Sequence, residues 1–166
     1  MAFGFGKKRD GKIGPATVKE VVGKLFNAPN TALGVAYGGL GHVVGEAMGT
    51  HPHVAVRDNA IQFLNNPFGG VGAITIGNTT TYKGDPYDPN DVDWARDRAI
   101  TGRPVWQHEK QHTYQGEQLG PLYLPSNLVG GLNAVLRGQG WHGDANWNER
   151  GPQMNPPRPW APKAGR

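Results

Sequence analysis

The first clear pattern along the chain is helical. In TVKEVVGKLF, Val18, Val21, Val22 and Leu25 share one face of a 3.6-residue repeat, and Thr17 with Glu20 has capping-box spacing. Residues 27 to 30, NAPN, break that helix. The next stretch, TALGVAYGGLGHVVGEAMG, is apolar but interrupted by Gly34, Gly38, Gly41, Gly45 and Gly49 at three- or four-residue intervals. This predicts a tightly packed helix, continuous or broken, whose small residues let another helix come close. His42 and Glu46 lie inside the run and each is costly in lipid, which argues against membrane insertion. His42 by itself reads as a core or surface histidine rather than a ligand.

From His53 onward the character changes to strands and turns. Residues 54–57, 60–64, 73–76 and 79–82 are short runs rich in β-branched and aromatic residues, separated by Asn-Asn-Pro, Gly-Gly and Gly-Asn breakers. Gly77-Asn78 between AITI and TTTY predicts a hairpin, and the region as a whole a small, mostly antiparallel sheet. Further on, Pro104 and Gly120-Pro121 bracket VWQHEKQHTYQGEQL, a helix of about four turns. LYLPSNLVGGLNAVL predicts a second helix backing it, and PPRPWAP an extended end with Trp160 pinned onto the body.

The expected fold class is therefore α+β. Residues 1–15 read as a flexible leader, 16–160 as a single domain and 161–166 as a flexible tail. The length of 166 residues suits one domain with a real core, and 26 Gly with 14 Pro predict one rich in loops. Without cysteine the fold is independent of redox state. The amino terminus has a basic cluster, Lys7 to Arg9, but no apolar run after it, so it is not a secretory signal peptide. The net charge of +4 sits at the two ends without interleaved aromatics, which speaks against nucleic acid as a partner.

Two groups of polar residues carry little chemistry. Asp85, Asp88, Asp91, Asp93 and Asp97 fall in GDPYDPNDVDWARDR, which lacks the ligand spacing and terminal Glu of a calcium loop and reads as a polar loop leading into a short helix. His51 and His53 flank Pro52 with no third partner nearby and read as surface residues.

The chemistry is in WQHEKQHTYQ. His108 and His112 are one helical turn apart, so both imidazoles project from one face and can converge on a metal ion. Glu109 is one step round, where its carboxylate can reach a metal-activated water without being a ligand. With six His and five Glu in the chain, fewer than about one shuffled sequence in a hundred would contain H-E-x-x-H. Zinc needs a third protein ligand. The downstream stretch GWHGDANWNERGP offers Glu149, which would give a His₂Glu set and comes first, then His142 and Asp144; spacing does not decide among them. Glu117, nine residues past His108, is turned away from the pair. Tyr114, Tyr123 and His142 are candidates for stabilising an oxyanion, although buried tyrosines more often serve packing.

HEKQHTYQGEQLGPLYLPSNLVGG, together with NAPNTALGVAYGGLGH, NAIQFLNNPFG and AITIGN, resembles the HExxH metallopeptidase domains at the carboxy-terminal ends of bacterial polymorphic toxins, including those attached to type VI secretion spikes. The likeness runs from about Leu25 to Trp160. It implies a zincin-like fold and a Zn²⁺ cofactor held by His108, His112 and an acidic ligand mapping best onto Glu149, with Glu109 as general base. It also implies an antibacterial effector made in the bacterial cytoplasm and exported by a contact-dependent system to act in the periplasm of the target cell. A protein or peptide substrate, a cognate immunity protein and a secretion spike or carrier would be its partners. The competing readings are a zinc-stabilised binding module without turnover and a zinc amidase cutting cell-wall peptide crosslinks.

Overall fold

Thr17 and Glu20 cap the first long helix reciprocally, as their spacing predicts. The Thr17 hydroxyl accepts from the Glu20 amide at 3.3 Å and the Glu20 carboxylate accepts from the Thr17 amide at 2.8 Å, opening α1 (Val18–Phe26). The computed structural model describes residues 8–9, 12–13, 17–88, 90, 104–154 and 159–160. Ahead of α1, β1 (Lys8–Arg9) and β2 (Lys12–Ile13) pair as a short antiparallel ribbon.

The valine face of α1 does not pack inward. Val18, Val22 and Leu25 are 81%, 57% and 69% exposed. The helix instead presents the opposite side, where a Cβ on Gly23 would lie 3.1 Å from Glu117 Cβ and where Lys24 pairs with Glu117 at 2.6 Å. Close approach and a charged contact, rather than aliphatic burial, hold α1.

The glycine-rich run forms one continuous helix, α2 (Ala28–Met48), which begins at the Asn27 break and ends on left-handed Gly49. Gly34, Gly38, Gly41 and Gly45 are buried along one side. What they admit is the sheet and its loops, not a second helix: a Cβ on Gly38 would sit 2.3 Å from the Phe63 ring, and one on Gly34 would sit 2.4 Å from the Ile76 carbonyl. Backbone lies almost directly on strand, a separation no larger residue allows. Among the described residues, no helix is long and apolar enough to cross a membrane.

The strands fall on the four β-rich runs, the first starting one residue earlier than expected: β3 (His53–Arg57), β4 (Ala60–Leu64), β5 (Ala73–Ile76) and β6 (Thr79–Tyr82). Their order is β3-β4-β6-β5. The β3–β4 and β5–β6 pairs are antiparallel hairpins, turning at Asp58-Asn59 and Gly77-Asn78, whereas β4 and β6 run parallel with Ile61 opposite Thr79. Positive φ at Asp58, Asn59 and Gly77 fits the twist of tight hairpins. The sheet is thus mixed, and β5 is one of its edges.

The metal-motif helix, α3 (Val105–Leu119), starts after Pro104 and stops at Gly120. A 3₁₀ turn (Gly120–Leu122) leads into α4 (Tyr123–Leu136), and a loop leads on to α5 (Trp147–Met154). It is α5, rather than the expected α4, that lies along α3. α5 begins within GWHGDANWNERGP, where the pattern along the chain predicts no helix. Asn146 starts it by accepting from the Asn148 amide through its side chain at 3.1 Å.

The interior is unusually polar. Among the described residues, Ala60, Phe63, Leu64, Tyr82, Tyr123 and Ala134 form the buried hydrophobic core. Beside them, Asn27 donates to Asn78 at 2.8 Å, and Asn30 donates to Asn27 at 3.0 Å and to the Gly120 carbonyl at 2.7 Å. Asn78 in turn donates to Glu117 at 2.9 Å. The network joins the α1–α2 break, the β5–β6 turn and the end of α3, setting α3 against the sheet with its donors satisfied. The α+β class holds. Asp91, Asp93 and Asp97 lie outside the described residues, while Asp85 accepts from the Tyr87 amide at 2.9 Å in a polar turn.

Candidate metal centre

His108 and His112 meet as the helical period requires. Their ring centroids are 4.8 Å apart and their Nε2 atoms 3.0 Å apart. Glu149, in the first turn of α5, points its carboxylate at this pair: Oε2 is 3.2 Å from His108 Nε2 and 3.5 Å from His112 Nε2. His112 and Glu149 are each 4% exposed. The donor atoms of these three residues form a compact group able to hold a metal ion.

Two observations bear on whether a metal fits. Donors bound tetrahedrally to zinc at about 2.0–2.2 Å stand about 3.3–3.6 Å from one another; the 3.5 Å between Glu149 Oε2 and His112 Nε2 lies in that range, the 3.2 Å to His108 just below it, and the two Nε2 atoms at 3.0 Å would separate slightly to admit the ion. Glu149 Oε2 is also buried without a well-formed hydrogen bond from any described group. A buried carboxylate oxygen that faces two imidazole nitrogens without a well-formed hydrogen bond is suited to a cation, whether the charge comes from a metal or from a protonated imidazole.

The electrostatics of the metal-free protein agree. Burial alone would lower the His112 pKa, but the charge and proximity of Glu149, with Glu109 and Gln115 adding to it, push it up to about 9. Burial would raise that of Glu149, yet His112 above all, with His108 and His142, holds it far below the usual carboxylate range. His142 is shifted upward, chiefly by the Glu149 carboxylate at hydrogen-bond distance, with burial opposing.

Glu109 occupies the neighbouring face of α3, 7% exposed, and lies outside the three-donor group. Its Oε2 accepts a 2.6 Å hydrogen bond from the Thr75 hydroxyl on β5, and Thr75 Oγ1 is 3.0 Å from Thr80 Oγ1. Behind His112, Nδ1 is 2.9 Å from Gln115 Oε1. The arrangement offers two imidazole nitrogens and a carboxylate oxygen to a metal, with a second carboxylate alongside to exchange protons.

The other candidates disperse. His142 places Nδ1 3.2 Å from Glu149 Oε2, but its side chain is 61% exposed and it stands at the rim. Asp144 is exposed on the loop. Glu117 belongs to the polar junction with Lys24 and Asn78. Tyr114 lines the groove between α1 and α3, on the far side of the helix from the histidines, so geometry removes it from the site. Tyr123 is 2% exposed with its ring 6.4 Å from that of His112, a packing position under the ligand. His51 and His53 are exposed, His53 lying 3.6 Å from Asp85. His42 sits 3.8 Å from Glu46 with its ring edge toward Phe63.

Thr75 and Gln115 were not singled out by sequence reasoning. Gln115 stands at i+3 from His112, a spacing that puts it in reach, whereas nothing local links Thr75 to Glu109. Trp160 does anchor the chain's end, donating to Gln118 at 2.7 Å.

No protein-family model, curated protein or solved structure matches this chain.

Proposed function

We propose that the chain is a zinc-dependent peptide-bond hydrolase in which His108, His112 and Glu149 are the ligands and Glu109 is the general base. One observation carries the reading: the buried Glu149 Oε2, which makes no well-formed hydrogen bond, faces the Nε2 atoms of both histidines, with the Glu109 carboxylate on the adjoining face of the same helix. Zinc, when bound, brings the pKa of water near neutrality and polarises a substrate carbonyl.

The protein's own residues do the rest. Thr75 holds Glu109 Oε2, which orients the carboxylate and leaves its second oxygen to take a proton from the attacking water and return it to the leaving amine. We assign to His142, at the rim with Nδ1 3.2 Å from Glu149 Oε2, the supporting role of donating toward a developing oxyanion. The edge strand β5 lies against α3, so an extended peptide could add to the sheet through backbone hydrogen bonds, giving broad specificity set by side-chain pockets.

In this reading the zincin-like architecture and the likeness to toxin metallopeptidase domains assign the biology. The chain acts as an antibacterial effector exported through a spike or carrier, and an immunity protein protects the producer.

Glu109→Gln tests the reading. The variant should keep about one zinc per chain by elemental analysis and lose both toxicity in the bacterial periplasm and the new protein amino termini seen by proteomics. A binding module stabilised by zinc would tolerate the change, and an amidase would release cell-wall fragments in place of new protein termini.

A further inference from the structure

Gln115, one turn after His112 on α3, is fully buried and joins three elements. Its amide nitrogen donates to the Asn148 carbonyl at 2.8 Å and to the Pro159 carbonyl at 2.7 Å. Carbonyl oxygens only accept, so these contacts fix which way the amide faces. Its oxygen is therefore the atom 2.9 Å from His112 Nδ1. An amide oxygen cannot donate, so Nδ1 carries the proton of that hydrogen bond. The neutral ring then keeps its lone pair on Nε2, the atom directed at His108 Nε2 and Glu149 Oε2.

Asn148 is the residue immediately before Glu149, so the same amide that orients His112 grips the turn of α5 carrying the other buried ligand. Its second hydrogen holds the end of the described chain. That segment fits against α5 because Gly151 has no side chain; a Cβ there would be 2.1 Å from the Pro159 carbonyl. It is fastened to α3 again where Trp160 donates to Gln118.

We infer that Gln115 is a positioning residue for the metal centre: it locks the ring and tautomer of His112, and through Asn148 and Pro159 it holds α5 and the chain's end in register with that ring. The inference rests on the metal-hydrolase reading above. Replacing Gln115 with leucine removes the acceptor and both donors. Replacing it with glutamate keeps an acceptor for Nδ1–H but removes the amide donors, so the two roles separate.

The test uses the full chain with zinc as the probe, read by competition with a chromophoric chelator. Gln115→Leu should bind zinc about 10–100-fold more weakly than wild type, and Gln115→Glu, which keeps the acceptor for Nδ1–H but loses the hold on α5, should fall between the two. Limited proteolysis near the carboxy terminus should become faster in both. In zinc-loaded wild type, ¹⁵N NMR of His112 should show a protonated Nδ1 whose hydrogen exchanges slowly with water, a measurement that needs no variant to fold. Equal zinc affinity in wild type and a folded Gln115→Leu, a Gln115→Glu loss as large as that of leucine, or zinc bound through His112 Nδ1 would each overturn the inference while leaving the metal site standing. Wild-type protein that takes up no zinc would overturn both.

Discussion

Thr75 on the edge strand donates a 2.6 Å hydrogen bond to Glu109 Oε2 on the metal helix, so the carboxylate beside the ligands is anchored to the sheet as well as to its own helix. Because the Thr75 hydroxyl hydrogen is committed to Glu109, Thr80 is the donor in the 3.0 Å contact between the two threonines. Thr75→Val keeps the shape and deletes the bond. On the hydrolase proposal it is expected to slow peptide cleavage by about tenfold through a misoriented base while zinc content stays at the wild-type level. Turnover measured alongside elemental analysis checks this, and loss of zinc in the variant would contradict it.

The third ligand can be tested directly. Glu149→Ala removes a buried donor and should weaken zinc binding on the order of a hundredfold. His142→Ala should keep the metal and at most slow turnover, since the side chain is 61% exposed at the rim. Chelator competition on both variants settles the assignment. Zinc retained in Glu149→Ala and absent in His142→Ala would show a three-histidine site.

The acidity of the site gives a pH signature. The His112 pKa rises from 6.5 to about 9 on folding without metal. The folded state then holds its proton more tightly, so this contribution to metal-free stability is full below about 6.5 and is lost as pH rises through about 9. Glu149 works in the opposite sense: its lowered pKa stabilises the fold above about 4.5, and that contribution is lost as pH falls. Zinc needs a neutral Nε2, so binding near pH 7.5 should release close to one proton from His112, and affinity should rise toward pH 9. Calorimetry in buffers of differing ionisation enthalpy measures the release; a buffer-independent heat would refute it.

The glycine stripe of α2 makes a paired prediction. Gly38→Ala drives a Cβ to 2.3 Å from the Phe63 ring, which is itself buried in the sheet, and should destabilise the protein by about 1–3 kcal/mol or more. Gly39 has nothing within 4 Å of an added Cβ, so Gly39→Ala should stabilise by up to about 1 kcal/mol through helix propensity. Urea denaturation of the two variants distinguishes the close contact from a general intolerance of side chains on α2.

Much of this fold is legible along the chain because its signals are local. The Thr17–Glu20 cap, the β-rich runs, the Gly77-Asn78 turn and the limits of α3 each depend on residues within a few positions of one another, where backbone sterics and hydrogen bonding act without outside help. The convergence of His108 and His112 belongs to the same class, since one helical turn separates them whatever surrounds the helix.

Relations across the chain were decided only by tertiary structure. The valines of α1 promise a buried face, but Gly23 and Lys24 make the contact, because close approach to α3 and the Glu117 carboxylate lie on the other side. The parallel pairing of β4 with β6 arises because the loop after β4 carries the chain out to the edge strand β5, from which β6 turns back to lie between β5 and β4. Spacing left Glu149, His142 and Asp144 open as the third ligand. The structure brings one of them to the imidazoles: Asn146 caps α5 and α5 lies along α3, which buries the Glu149 carboxylate beside His108 and His112 and leaves the other two groups at or beyond the rim. A helical repeat determines which side chains share a face, but only the packing of one element on another determines what that face meets.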